Sequence, residues 1–269
     1  MIEKPSISVI MSVRNGAPFL EKSVNSILNQ TFGDFEFIIC NDGSTDATQA
    51  LLEEFQEKDD RIILLKNEKS MGLAYSLNSC IEVARSEILA RQDADDRSAL
   101  NRFETQYPFV IEHPEYAIVG TCWINETENG EVSKSVVRER PTARSQIARG
   151  QYMHPTWMMR KSMINKVGNY TANKYTMRDQ DYHLVMKVLA KGMLIYNMQE
   201  FLYYYFIDQN QRFRQLQWNK VKGLMWIRFD AYRQNKLPLW AYVFVLKPLL
   251  ALLVPRNLML KYYNRKKHE

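Results

Sequence analysis

ISVIMSVRNGAPFLEKSVNSILNQTFGDFEFIICNDGSTDAT, residues 7–48, holds the pattern that decides the fold. Residues 7–13 are a short apolar, β-branched run that Arg14-Asn15-Gly16 breaks, which predicts a buried strand. Residues 19–31 place Leu20, Val24, Ile27 and Leu28 at helical spacing. Residues 35–40 form a second apolar run, closed by the turn residues Asn41-Asp42-Gly43-Ser44. Asp46, with Gln49 three residues on, predicts a capped start for a helix carrying Leu51, Leu52 and Phe55.

The same alternation continues outward. Residues 62–65 read as a third strand and residues 88–90 as a fourth, with a helix through Leu73, Leu77, Ile81 and Ala84 between them. Strand and helix in turn over the first hundred residues predict a parallel sheet with helices on its faces. Ligands of such sheets bind beyond the carboxyl ends of the strands. Three polar segments fall there: Arg14-Asn15, residues 41–44, and Asp93-Ala94-Asp95-Asp96. They are distant in sequence and are expected to meet at one sheet edge.

After Gly120 the pattern loosens. Asn129-Gly130 predicts a hairpin. Residues 154–160 read as a strand with a polar start, residues 181–191 as a helix closed by Gly192, and residues 201–207 as an aromatic strand. With 269 residues, the chain suits one α/β domain with an appendage. Cys40, Cys80 and Cys122 are far apart, lack metal-ligand spacing and have apolar neighbours, so buried free thiols and a reducing compartment are expected. No basic stretch followed by a long apolar core opens the chain, which favours the cytosolic side.

Net charge is +6, and cations gather in the tail at Arg256, Lys261, Arg265, Lys266 and Lys267. Just before them, residues 237–254 are strongly apolar but carry Lys247 and Pro248. A spanning helix wants ~20 mostly apolar residues, and a central lysine costs roughly 2.5–3.5 kcal/mol on insertion. Two readings stand: a segment lying on an anionic membrane surface, or an apolar helix packed on the domain or on a second chain in an oligomer. No nucleic-acid recognition motif accompanies the charge, so no nucleic-acid partner is expected.

Asp93, Asp95 and Asp96 lie just after a strand. Carboxylates this close repel one another unless a cation neutralises them. Oxygen ligands of this kind suit Mg²⁺ or Mn²⁺, which can bridge to phosphate oxygens. An Asp-rich turn with a helix cap is the alternative. No Gly-rich loop with Lys-Ser/Thr is present, and no Gly-x-Gly-x-x-Gly follows the first strand. That argues against a P-loop nucleotidase and a dinucleotide oxidoreductase.

With residues 7–48, MGLAYSLNSCIEVARSEILARQDADD (71–96), HPTWMMRKSMINKVGNY (154–170) and RDQDYHLVMKVLAKG (178–192) in order, the chain resembles the inverting GT-A glycosyltransferases of family 2. The resemblance implies a Rossmann-like mixed α/β sheet flanked by helices over residues 1–210, and an apolar, basic helical extension over 211–269. It implies transfer of a sugar from a nucleotide-sugar, UDP-sugar favoured, to a glycan or lipid-linked acceptor of surface polysaccharide. By position it assigns Ser12, Arg14, Asp42 and Asp93 to the nucleotide, Asp95 to Mn²⁺ or Mg²⁺, and Asp181 to the general base. Asp96 stands as a second carboxylate behind the metal or as a cap.

The pattern departs from the family where Ser12, Val13 and Arg14 stand for its frequent Pro, Thr and Tyr. Gln180 stands for a Glu, and His183 for an Asp. Asp179 is therefore a second candidate base. A carboxylate favoured by the helix dipole is the plain alternative for Asp181. His154, Trp157 and Arg178 are candidates for acceptor or diphosphate contact, beside ordinary core and salt-bridge roles. The tyrosines at 203–205 read as strand packing, with sugar stacking as the alternative. A catalytically silent nucleotide-sugar-binding or membrane-scaffold protein, and a nucleotidyltransferase, remain as other functions.

Overall fold

The computed structural model describes residues 4–148, 150–173, 176, 179–207 and 218–249. The expected alternation is there as β1 (Ile7–Val13), α1 (Ala17–Leu28), β2 (Phe35–Asp42), α2 (Thr48–Lys58), β3 (Ile62–Asn67), α3 (Leu73–Val83) and β4 (Ile88–Arg91). There follow β5 (Arg97–Ser98), α4 (Arg102–Glu112), β6 (Tyr116–Thr127), β7 (Gly130–Ser135), β8 (Met158–Arg160), α5 (Lys161–Lys166), α6 (Gln180–Ala190), β9 (Leu194–Phe206) and α7 (Trp218–Gln234).

Among the described residues the strands make one sheet in the order β3-β2-β1-β4-β8-β6-β9-β5, with β7 on β6. The first four are parallel, as the alternation requires. β8 runs antiparallel to both β4 and β6, so the whole sheet is mixed. β1 pairs with β2 on one side and β4 on the other. The chain thus winds outward from β1 and then returns to its far side. This reversal opens a crevice at the strand ends, where open α/β sheets bind ligands.

Alternate residues of β1 feed opposite cores. Ile7, Val9, Met11 and Val13 pack with α1, α2 and α4. Ile10 packs with α3, α5 and α6. Both faces of the central strands are therefore covered, which is why they read as continuous apolar runs rather than alternating ones.

Three local expectations change. β2 extends through Asp42, so Asn41 and Asp42 belong to the strand and the turn starts at Gly43. The N-cap of α2 is Ala47, not Asp46; Asp46 stands one residue before it and accepts Thr48 N at 3.1 Å and Thr48 Oγ1 at 2.6 Å. Gln49 does not reciprocate; it bonds Asn41 and Glu53, so the capping box is not formed. The strand expected over 154–160 is a 3₁₀ turn at His154–Thr156 followed by β8. The Asn129-Gly130 hairpin between β6 and β7 is as expected, with Gly130 at φ +102°.

α7 lies on α6, where Ile227, Ala231 and Tyr232 share a cluster with Tyr182 and Met186. The apolar stretch continues as a 3₁₀ segment, Leu239–Leu246, which buries Ala241 and Val245 in that cluster. Its other side is open: Leu239, Trp240, Val243 and Leu246 are 88%, 54%, 69% and 49% exposed. No helix among the described residues is long and apolar enough to cross a membrane. Residues 250–269, with the basic tail, lie outside the described residues. Cys40, Cys80 and Cys122 are buried free thiols.

Candidate functional site

The loops after β1, β2 and β4 meet, as their positions predict. Asn15 leaves β1 in the left-handed region at φ 51°. Its N–H donates to Ser44 Oγ (3.0 Å), and its Oδ1 accepts Thr45 N (2.8 Å). Gly16 N donates to Thr48 Oγ1 at 2.9 Å. From α1, Ser23 Oγ donates to the Asp93 carbonyl at 2.7 Å. Together they frame a cleft of about 400 Å³ whose lining includes Ser12, Arg14, Asn15, Phe19, Asp93 and Asp95. Ser12, Arg14, Asp93 and Asp95 thus share one opening.

Asp42 does not line this cleft; it is buried at the end of β2 and faces inward. Its Oδ1 accepts Asn67 Nδ2 (2.8 Å), Met71 N (2.7 Å) and Ser76 Oγ (3.0 Å). Its Oδ2 accepts Ser70 Oγ (2.8 Å) and Gly72 N (3.0 Å). A carboxylate offers about four lone-pair sites, so these donors occupy it fully. Burial raises its pKa, but the hydrogen bonds, led by Met71 N–H, hold it below the usual value. In this arrangement Asp42 fastens residues 67–76 to the end of β2. Gly43 belongs to the same joint. Its φ is +64°, and a Cβ there would stand 2.6 Å from the Lys69 carbonyl carbon.

Asp93, Asp95 and Asp96 each present an oxygen within 4.8 Å of the others. Their surroundings differ. Asp93 is half-open, and its Oδ1 lies 2.6 Å from Nη2 of the fully buried Arg91. Asp96 is buried; its Oδ1 accepts Phe206 N at 2.7 Å, while its Oδ2 has no hydrogen-bond partner. Burial, and then the charges of Asp93 and Asp95, push the Asp96 carboxyl well above the usual range. Asp96 is no helix cap: α4 starts at Arg102, behind Asn101. Asp95 is the exposed member. Three carboxylates presenting oxygens within 4.8 Å of one another, one of them exposed, are a donor set that fits a hard divalent cation such as Mg²⁺ or Mn²⁺.

Asp181 lies in the first turn of α6, behind Asp179 at φ 54°. A helix N-terminus favours the carboxylate form. Here burial, and then the Asp179 charge, outweigh it and push the Asp181 carboxyl up to about 7. Arg91 pulls the other way. Burial raises the Tyr170 phenol, and the charges of Arg91, Asp181 and Asp93 all act on it, so the two acidic groups lie within electrostatic reach of one buried residue. His154 Nε2 lies 2.7 Å from Tyr170 Oη. It is buried and held neutral by burial and by the Arg91 charge. Trp157 is fully buried against His154 and Tyr152, in the core below the site. Arg178 lies outside the described residues.

Sequence reading missed the groups that set the cluster. Arg91 falls there just past the fourth strand with no role, and Tyr203 reads as strand packing with sugar stacking as the alternative. In the fold, Tyr203 Oη accepts Asp93 N at 3.2 Å. Gln92 Nε2 donates to the Asp93 and Asp96 carbonyls, both at 3.1 Å. Arg91 carried one signal: a charged residue ending an apolar strand. Tyr203 carried none.

Residues 8–168 match the sequence profile described as Glycosyl transferase family 2. The chain is 32% identical over 263 residues to the putative glycosyltransferase EpsE of Bacillus subtilis, covering 97% of this chain and 94% of that one. It is 29% identical over 210 residues to the UDP-Gal:alpha-D-GlcNAc-diphosphoundecaprenol beta-1,3-galactosyltransferase of Escherichia coli, covering 74% of each. Among solved structures, S. aureus TarS 1-349 in complex with UDP-GlcNAc superposes with a TM-score of 0.70 at 19% identity, over 92% of this chain and 71% of that one. At that identity the likeness speaks for the fold alone.

Proposed function

Because the chain belongs to glycosyl transferase family 2, we propose that it is an inverting enzyme that moves a sugar from a nucleotide-sugar to a hydroxyl of a lipid-linked or glycan acceptor of surface polysaccharide. UDP is the preferred nucleotide, by analogy with the UDP-Gal relative and the UDP-GlcNAc-bound neighbour. The observation that carries this reading is the acidic cluster at the 400 Å³ cleft, Asp93 and Asp95 lining it with Asp96 beside them, together with an Asp181 carboxyl raised to about 7 that feels the same Arg91 charge.

Inversion needs one in-line attack by an acceptor hydroxyl, a base for its proton, and stabilisation of the departing diphosphate. Asp181 takes the proton. A carboxyl near 7 is ionised enough at neutral pH to act and basic enough to pull. Ser12 and Arg14 line the nucleotide cleft, Arg14 offering its charge at the rim. Asp42 serves the nucleotide by fixing the loop 67–76 beside it. Asp93 serves the donor side of the cleft, and Asp95, with Asp96 behind it, holds the cation. A divalent cation there would neutralise charge on the leaving diphosphate. Asp179 sets the pKa of Asp181 and is the second candidate base.

The extension over 211–269 would bring the catalytic unit to the inner membrane surface. The open side chains Leu239, Trp240, Val243 and Leu246 and the cations that follow support this. The test is a screen of nucleotide-sugars for Mn²⁺-dependent turnover by the purified protein. Asp95→Ala is expected to abolish both turnover and cation-dependent UDP binding. Turnover at the full rate in Asp95→Ala refutes the cation assignment, and no turnover of any donor with any lipid-linked or glycan acceptor refutes the enzyme.

A further inference from the structure

We propose that Arg91 is a positioning residue that withholds Asp93 from the cation and commits it to the donor, so that cation and nucleotide-sugar bind well only together. This rests on reading the Asp93–Asp96 cluster as the donor site.

Arg91 ends β4 and is fully buried. Its backbone is fixed at both polar atoms: N donates to the Trp157 carbonyl (2.9 Å), and O accepts Arg102 Nη1 (3.0 Å). The side chain is a different matter. Nη2 stands 2.6 Å from Asp93 Oδ1, while Nε and Nη1 have no hydrogen-bond partner. A guanidinium has five N–H donors and no route to neutrality in water. Burying it with one ion-pair partner is unfavourable, and an apolar side chain of the same volume often serves stability as well or better. Stability therefore does not account for an arginine here. Its position does.

The charge is paired with Asp93 at 2.6 Å, where burial disfavours it and Asp93 favours it, and it also acts on Asp181, whose carboxylate form it favours. Towards the cleft it engages one oxygen of Asp93. Asp96 is engaged by Phe206 N and shielded from solvent. The three carboxylates are close enough to be rivals for one cation. With Asp93 drawn to Arg91, the cluster's grip on a lone divalent ion is weakened by both a ligand and a net charge. A nucleotide-sugar brings phosphate oxygens that make up the ligand number, and its hydroxyls meet an Asp93 that is already oriented.

The readouts are Mn²⁺ affinity of the nucleotide-free protein by electron paramagnetic resonance, UDP affinity with and without Mn²⁺ by calorimetry, and thermal midpoint. Arg91→Gln frees Asp93. Mn²⁺ alone is expected to bind about tenfold tighter or more, because a positive charge is lost within ion-pair reach of the site. UDP with Mn²⁺ is expected to bind about tenfold weaker. Arg91→Lys keeps the charge without the fork and is expected to leave Mn²⁺ affinity near the native value. Asp93→Asn should weaken UDP binding without the gain in Mn²⁺ affinity. A merely structural arginine predicts that both affinities fall together with the thermal midpoint, and that result overturns the proposal. So does no change in either. If Arg91→Gln does not fold, the Arg91→Lys and Asp93→Asn pair decides: loss of Mn²⁺ affinity in Arg91→Lys is the refuting result. Asp95→Ala separates the two levels. If it leaves Mn²⁺ binding intact, the site reading fails; if it abolishes binding and Arg91→Gln changes nothing, only the role of Arg91 fails.

Discussion

Asp181→Asn tests the acceptor side through stability and turnover at once. The native carboxyl stands near 7 instead of the ordinary 3.8. The folded protein therefore holds this proton more tightly than the unfolded chain does. Its stabilising contribution is complete below about 3.8 and is lost as pH rises through about 7. At ~1.36 kcal/mol per pH unit the full loss is roughly 4 kcal/mol. The side chain is partly exposed, and solvent screening cuts this to about 2–4 kcal/mol. Asn has no proton to lose, so its advantage over Asp should grow by roughly 1–3 kcal/mol between pH 5 and pH 8.5. Urea unfolding of both proteins at the two pH values, without substrate or cation, measures this. Turnover should move oppositely. Native kcat rises with pH through about 7, and Asp181→Asn loses ~10²–10⁴-fold with donor affinity kept. An Asn advantage that does not change with pH refutes the electrostatics. Normal turnover in the variant refutes the base and turns attention to Asp179→Asn.

Gly43→Ala is expected to destabilise the fold by about 2 kcal/mol or more, since its left-handed backbone and the Lys69–Ser70 backbone both exclude a methyl group; a urea midpoint within error of native would contradict the joint described here. The double variant Trp240→Glu with Val243→Glu should bind anionic vesicles at least tenfold more weakly in sedimentation, while its turnover of a soluble acceptor stays native. Unchanged vesicle binding would give those side chains to packing or to a second copy of the chain.

What could be read from sequence was what neighbours in the chain determine. β1, α1, β2 and β4 are announced by runs and periods inside one short window, and the crevice follows from their order. Even there a boundary slipped. Asn41 and Asp42 look like turn residues, yet β3 pairs with them as Lys66 and Asn67 and keeps them in the strand. The cluster's chemistry was legible because its carboxylates are adjacent. Its support was not. Tyr203 reaches Asp93 N from 110 residues away, and the Phe206 N–H that holds Asp96 is equally distant. His183 makes the same point. It stands where the family has an acid, but its Nε2 meets Asp230 Oδ2 from α7 at 3.0 Å, so the carboxylate arrives from another helix. No local pattern encodes such pairs.

The chain as a whole is basic, at +6, yet its crevice is lined with acid. That contrast shows where the fold accepts electrostatic stress. Two unit charges 4 Å apart repel by about 4 kcal/mol at the effective dielectric of a protein surface. The fold relieves Asp96 by raising its pKa, relieves Asp93 with Arg91, and leaves Asp95 at the opening. At the start of α6, burial and the neighbouring Asp179 charge let Asp181 stay protonated to about 7. Each device lowers the charge the free protein must carry. A cation at Asp95 would stabilise the ionised form of Asp96. On the proposed reading Arg91 would keep Asp93 oriented while the donor binds, and its charge already favours the carboxylate of Asp181. Asp181, the proposed base, is thus biased toward its ionised form by the same buried guanidinium that pairs with Asp93.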